Sequence, residues 1–170
     1  MCTRLTLALV LVLAAALPLP AQDAPALTTV RGLLGATQAI TVFDFVTASA
    51  SGDVVTLAGK VTSRAKRDQL ETEVASVPGV RQIVNRIAVL PASASDEGLR
   101  QRVARAIYAH PSLRQYASMS HPPIRILVER GRVTLAGEVR SGVERLVAKS
   151  LAEAEAKGPV TDELVIGGGR

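Results

Sequence analysis

A five-residue sequence, VTLAG, occurs at residues 55–59 and again at residues 133–137 of this chain of 170 residues. The similarity continues, because Val61 and Ser63 recur as Val139 and Ser141. A period of 78 residues is too long for a solenoid repeat and fits a small domain. The duplication therefore predicts two copies of one small module.

Each repeat has the pattern of a half-buried strand. Val55, Leu57 and Val61 alternate with polar or small residues, so we expect them to share one face. Gly59 and, in the second copy, Gly137 fall on that apolar face, where glycine usually lets a helix or another backbone approach closely. We interpret both as structural glycines, because a phosphate site would need a glycine-rich loop followed by a helix start.

The segments around each repeat predict further elements. Downstream, apolar spacing indicates a helix and then a last strand. The expected inward residues of the helices are Leu70, Val74 and Val77 in the first copy and Val143, Val147, Leu151 and Ala154 in the second. Those of the last strands are Ile83, Ile87 and Val89, and then Val160, Leu164 and Ile166. Upstream, we expect extended segments at residues 40–48 and 124–129, preceded by helices at residues 26–39 and 97–109.

Each module thus has the order helix, strand, strand, helix, strand. This order predicts an α+β fold in which two helices cover one face of a three-stranded mixed sheet. We predict a first module at residues 27–90, whose leading helix is weak because two glycines interrupt it, and a second module at residues 96–166. Residues 91–95 would link them, and residues 167–170 would form a disordered tail.

The N-terminus has the outline of a secretory signal peptide. Arg4 precedes an unbroken apolar run at residues 5–17, and prolines and a small residue follow. The run is shorter than the roughly 18 residues that span a bilayer, so we expect residues 1–21 to be removed, with cleavage after Ala16 as the alternative. Cys2 lies before the run, which argues against a lipoprotein. A mature chain without cysteine fits a bacterial periplasm.

Together these features resemble the tandem BON-domain proteins, a bacterial periplasmic family named for osmotically inducible and nodulation members. The resemblance also rests on the turn VPGV at residues 77–80 and the strand VNRIAV at residues 84–89. It implies a non-catalytic exported protein that binds anionic phospholipid surfaces and supports envelope integrity under osmotic and envelope stress. It supplies no catalytic residues and no cofactor.

The helix predicted at residues 97–109 carries the candidate lipid-binding residues. On a helical wheel with steps of about 100°, the core stripe is centred on Leu99, arginines lie on its flanks, and Tyr108 points almost opposite Leu99. An outward tyrosine beside arginines suits a membrane interface, because the ring lies at headgroup depth while guanidinium groups pair with phosphates. The predicted lipid-binding residues are Arg100, Arg102, Arg105, Tyr108 and Arg114.

The charge pattern favours this hypothesis and limits its strength. The formal net charge is +5, and residues 98–128 contain five arginines and no acidic residue. An anionic membrane attracts each basic residue by about 1 kcal/mol, so three arginines would supply about 3 kcal/mol. A millimolar complex needs about 4.1 kcal/mol. Contacts from both modules would raise the affinity; the alternatives are that one module alone touches lipid, or that the arginines form an ordinary solvated face.

Catalysis, metal binding and nucleic-acid binding find little support. His110 and His121 each precede a proline in loop-like sequence, and Asp44 and Asp53 are isolated carboxylates. No cluster of ligands indicates a metal site, and aromatic residues are too few for stacking on nucleic acid. We expect no nucleic acid or small-molecule partner.

A periplasmic scaffold that binds an envelope protein is the main alternative. It would use the same basic helix or the sheet face that no helix covers. That face is expected to carry Thr56, Lys60, Thr134 and Glu138.

Overall fold

Each copy of the repeat forms the middle of a three-stranded sheet in the computed structural model, which describes residues 25–167. The first module consists of α1 (Pro25–Ala36), β1 (Phe45–Ser51), β2 (Val54–Val61), α2 (Arg64–Ala75) and β3 (Gln82–Val89). The second consists of α3 (Ala94–Ala109), α4 (Arg114–Ala117), β4 (Ile124–Glu129), β5 (Arg132–Val139), α5 (Gly142–Ala156) and β6 (Thr161–Ile166). The predicted signal peptide and nearly all of the predicted tail lie outside the described residues.

Both sheets are mixed, which confirms the predicted α+β class with two small modules. The repeat strands β2 and β5 are central, and each pairs antiparallel with the preceding strand and parallel with the last one. Leu57 lies opposite Ala48 of β1, and its counterpart Leu135 lies opposite Ile126 of β4. The spacing of 78 residues therefore relates whole hairpins, and positions in the two modules can be compared one by one.

The repeat glycines accept a close approach of the preceding backbone. Gly59 and Gly137 have φ angles of 135° and 103°. A Cβ atom at Gly59 would lie 2.0 Å from the carbonyl oxygen of Phe45, and one at Gly137 would lie 2.0 Å from that of Pro123. Any side chain would collide with a backbone oxygen, which explains why glycine occupies both positions.

The helix α3 begins at Ala94, inside the segment predicted as linker. Ser93 acts as its N-cap, because the side-chain Oγ accepts a hydrogen bond from the N–H of Asp96. The buried carboxylate of Asp96 in turn accepts hydrogen bonds from the backbone N–H groups of Arg130 and Gly131, both at 2.8 Å. The start of α3 is thereby fixed to the β4–β5 turn.

The packing of α5 differs from the prediction. Ala148 and Ala152 are its fully buried residues, and their small side chains let α5 lie close to α3. Val143 and Ala154, which were predicted to face the core, are exposed. The apolar stripe is thus rotated toward the alanines, because close helix–helix contact favours small residues over large ones at this position.

The ends of several strands also depart from the prediction. Val89 and Ile166, predicted to face inward, are exposed at the ends of outer strands. The strand β1 begins at Phe45 rather than at residue 40, because the preceding residues turn around the buried carboxylate of Asp44. The short helix α4 was not predicted, since four residues are too few to show helical periodicity.

Alanine at the repeat glycines should destabilise the protein. We expect Gly59→Ala and Gly137→Ala each to lower the free energy of unfolding by about 3 kcal/mol, because alanine must adopt a positive φ and displace a carbonyl oxygen. Gly32→Ala is the control: a Cβ atom there meets nothing within 4 Å, so stability should rise by up to about 1 kcal/mol. Urea unfolding followed by circular dichroism measures all three variants, and an unchanged Gly59→Ala midpoint would contradict the close approach.

Candidate functional site

Arg100 is buried, contrary to its predicted place on a membrane-facing surface. Its side chain is 5% exposed. Its Nη2 atom donates a hydrogen bond to the carbonyl oxygen of Val128 at 2.7 Å, and Nη1 donates to Glu97 at 3.1 Å. The physical reason is its position on the helical wheel, about 100° from Leu99 and close to the buried Ile107, which turns the side chain toward β4.

Tyr108 also points inward rather than toward solvent. Its ring packs against the core of the second module, and its hydroxyl donates a hydrogen bond to the carbonyl oxygen of Ile124. Burial raises the pKa of the Tyr108 hydroxyl. The helical wheel gave the direction of the Cα–Cβ bond correctly as away from Leu99, but the long side chain reaches sideways to β4.

Arg100 and Tyr108 share one structural role, because both cap the outer edge of β4. A third cap comes from the first module, where the carbonyl oxygen of Val42 accepts a hydrogen bond from the N–H of Ile126 at 2.7 Å. Every second residue of an antiparallel strand directs its N–H and C=O groups outward, and these bonds fall on such alternate positions. Since an open edge is a template for pairing with other chains, the caps close the sheet on this side.

The two modules meet along this capped edge. Arg125 donates a hydrogen bond from Nη1 to the carbonyl oxygen of Thr41 at 2.9 Å, and Phe43 packs against the core of the second module. Lys60, which was predicted to face a partner, instead forms an ion pair of 2.6 Å with Glu129. The hydrogen bond and charge of Lys60 lower the pKa of Glu129. A strand-like segment and one ion pair thus hold the modules together.

Asp44 organises the first module's side of this junction. It was predicted to be an isolated carboxylate, but it is buried and accepts hydrogen bonds from Thr41, Thr62 and Lys66. Burial raises the pKa of Asp44, but these hydrogen bonds outweigh burial and hold that pKa below its ordinary value of 3.8. The partners lie 18 and 22 residues away, at the end of β2 and the start of α2, which no local spacing indicates.

The second module solves the same problem with different residues. Arg140 is the counterpart of Thr62, and its backbone N–H donates to Glu144 at 2.9 Å, where the first module uses Asp44. Tyr116 of α4 donates its hydroxyl hydrogen bond to the same carboxylate at 2.6 Å. Burial raises the pKa of Glu144, but the hydrogen bonds from Tyr116 and Arg140 outweigh burial and lower it.

Three of the predicted arginines do lie on the outer surface of the second module. Arg102 is 55% exposed and lies 3.5 Å from Glu155 of α5. Arg105 on α3 and Arg114 on α4 are exposed. The outward cations are therefore fewer than predicted, and one of them already has an acidic neighbour.

Two exposed aliphatic residues on α5 lie in the same helical layer. Val143 is 70% exposed and Leu146 is 68% exposed. Sequence reasoning assigned Val143 to the core and passed over Leu146. Comparison of the repeats carries the missing signal: the counterparts of these residues are Ala65 and Asp68 in α2, so the fold does not require large apolar side chains there.

The described residues show no arrangement that indicates catalysis or metal binding. Residues 25–167 contain no group of three or more His, Cys, Asp or Glu side chains able to hold a metal ion. His110 ends α3, and its Nδ1 atom accepts a hydrogen bond from the N–H of Ser112 at 3.3 Å, which is a turn role. No helix within the same residues is long and apolar enough to cross a membrane.

The fold defines a protein with duplicated αββαβ modules, and comparison with known families assigns it. A family model of the BON domain matches residues 22–91 and again residues 95–168. The two matches cover most of the chain, so the chain belongs to the BON-domain family and carries the domain in tandem. BON domains take part in phospholipid binding or protein interaction, are in general non-catalytic, and often occur in periplasmic proteins.

Among solved structures, the chain is similar to two of CdsD, a structural protein of the type III secretion system of Chlamydia trachomatis; one of them is its C-terminal domain. Identity is 11% in both, the TM-scores are 0.34 and 0.32, and each match covers 85% of this chain. The chain spans 63% and 66% of those two structures. These matches carry no argument about function. The comparison with curated proteins finds no similar sequence.

Replacement of Arg100 and of Arg105 should have opposite consequences. Arg100→Met should lower the free energy of unfolding by about 2 kcal/mol, because it leaves the buried carbonyl oxygen of Val128 without its donor. Arg105→Met is the matched control, and its effect should stay within about 0.5 kcal/mol because Arg105 is exposed. Urea unfolding of both variants is the measurement. Equal stability of the two would mean that Arg100 does not act as an edge cap in solution.

Asp44 should stabilise the protein in a pH-dependent way. Because its folded pKa is depressed, its contribution is present above the unfolded pKa, near 3.8, and is lost as the pH falls through the folded value. At about pH 7 we expect Asp44→Asn to cost about 2 kcal/mol, and the difference from wild type should shrink toward about pH 2.5. Asp53→Asn is the control, since Asp53 forms only an exposed ion pair with Arg81. A pH-independent difference for Asp44→Asn would contradict the charged hydrogen-bond network.

Proposed function

We propose that this protein is exported and binds anionic phospholipid surfaces through the outward face of α3, α4 and α5, and that it supports envelope integrity in the periplasm. The observation that carries the proposal is that exposed aliphatic residues and exposed arginines share this one layer of helices. A surface that combines both can insert side chains among acyl chains while its cations meet phosphates. Export rests on the signal peptide expected at residues 1–21.

The helical layer brings its cations and aliphatic residues to the same side of the module. Arg102 near the middle of α3 meets Glu155 near the end of α5, and Gln115 of α4 donates to Glu144 at the start of α5. The two long helices therefore run antiparallel on the same face of the sheet. Arg114 of α4 consequently lies by the end of α5 that carries the exposed aliphatic residues.

The magnitudes favour binding that is weak but measurable. Arg105 and Arg114 would contribute about 2 kcal/mol together, with Arg102 left out because of its acidic neighbour. Burial of Val143 and Leu146 would add about 3 kcal/mol. The sum of about 5 kcal/mol lies between millimolar and micromolar affinity, at about 4.1 and 8.2 kcal/mol. The aliphatic pair thus supplies what the arginines alone lack.

Co-sedimentation with liposomes tests the proposal. Mature chain should bind vesicles that contain phosphatidylglycerol, bind zwitterionic vesicles poorly, and lose binding as salt is raised. Arg105→Glu/Arg114→Glu should reduce binding at least about tenfold, and Val143→Ser/Leu146→Ser should reduce it by a similar factor. The predicted loss of the aliphatic variant separates insertion from simple charge attraction.

A control on the first module has the same change in net charge. Arg64→Glu/Arg86→Glu reverses two exposed arginines away from the helical layer and should keep most of the binding. If this control loses as much binding as Arg105→Glu/Arg114→Glu, only net charge matters and the surface is wrong. Absence of binding by folded wild-type protein would remove the lipid proposal and favour the alternative, a scaffold that binds an envelope protein.

A further inference from the structure

The outer edge of β1 lacks the caps that close the equivalent edge of β4. By the spacing of the repeat, the N–H of Ala48 corresponds to that of Ile126, which is bonded to the carbonyl oxygen of Val42. Within residues 25–167, no group from another segment forms a hydrogen bond to the outward backbone of Ala48 or Val46.

The sequence explains why one of these caps is missing. Val46 is the counterpart of Ile124, whose carbonyl oxygen is capped by the hydroxyl of Tyr108. The residue that corresponds to Tyr108 in α1 is Val30, which is buried in the first core and has no donor to offer. The two modules therefore share a fold but differ in whether this strand edge is closed.

A groove runs along the open edge. It has a volume of about 470 Å³, within the range of about 300 to 1,000 Å³ that is typical of binding sites. Leu34 and Ile40 line it on the side of α1, and Pro123 and Arg125 line it from the second module. One wall is thus apolar, the other presents a guanidinium group, and Val46 through Ala48 of β1 form the base.

We propose that this groove accepts an extended peptide segment of a partner protein, which adds to the first sheet as a strand beside β1. The peptide backbone would exchange hydrogen bonds with Val46 and Ala48, and its apolar side chains would contact Leu34 and Ile40. An acidic group on the peptide would pair with Arg125, whose guanidinium has five donors and spends one on Thr41. The site is separate from the proposed lipid surface.

The chemistry of the strand edge favours a peptide over an acyl chain. An acyl chain in the groove would remove outward N–H and C=O groups from water without giving them partners, which is unfavourable. A peptide in extended conformation satisfies them. The protein itself provides the precedent, because its own segment around Val42 covers the equivalent edge of β4 through such a bond.

Hydrogen exchange of the free, full mature chain tests whether the edge is open. The amide of Ala48 should exchange at least about 100-fold faster than its counterpart Ile126, because only the latter has a partner. Protection of Ala48 equal to that of Ile126 would show that another part of this chain already occupies the edge, and would overturn the proposal.

Peptide binding is measured by nuclear magnetic resonance with a defined probe, the acetylated and amidated hexapeptide ITVFDF. Its sequence is that of residues 40–45, which include the segment that covers β4 and one acidic side chain. Saturable shifts should appear at the amides of Val46 and Ala48. No saturable shift at β1 up to about 1 mM, where binding would supply only about 4.1 kcal/mol, or shifts confined to α3, would overturn the proposal.

Two variants with a matched control identify the site. Ala48→Pro removes the outward N–H without breaking the β1–β2 ladder and should weaken the probe about tenfold, whereas Ala48→Val keeps the N–H and should bind like wild type. Gly35→Phe places a bulky ring into open space beside the groove and should also weaken binding, which serves if Ala48→Pro does not fold. Unchanged affinity in a folded Ala48→Pro or Gly35→Phe variant would overturn the proposal.

Discussion

The hydrogen-bonding demand of sheet edges governs this structure. In a three-stranded sheet two of the three strands are edges, so most of the backbone that faces outward must be bonded by something other than a neighbouring strand. In the second module that demand is met at β4 by Arg100, Tyr108 and a carbonyl group of the first module. The position of α3, the junction of the modules and the set of arginines left for other uses all follow from it.

Much of the fold was predictable from the sequence, because period-2 and helical patterns recur in both copies and each copy supports the interpretation of the other. The repeat glycines could also be assigned to backbone packing. The candidate site was harder to predict. A helical wheel gives the direction in which a side chain leaves the helix, but Arg100 and Tyr108 are long enough to bend back to a strand edge, and only the tertiary structure shows that the edge needs them.

The two modules show which parts of the fold are obligatory. The backbone N–H of Thr62 and that of its counterpart Arg140 are each satisfied by a carboxylate, but Asp44 supplies it from the loop before β1 and Glu144 supplies it from α5. The fold thus demands an acceptor at this point and tolerates its delivery from either element. Positions without such a demand have diverged freely, as at Leu146, whose counterpart is the polar Asp68.

This divergence gives the duplication a physical purpose. The second module has closed its strand edge and placed aliphatic residues outside, while the first has a polar α2 and an open edge. A chain held at a membrane by the second module would present the open edge close to that surface, which raises the effective concentration of any peptide partner anchored there. The two contacts would also respond differently to salt: attraction to lipid phosphates is screened, whereas backbone hydrogen bonds along β1 depend little on ionic strength. A single module could not close and expose the same edge, so two copies permit both functions in one small protein.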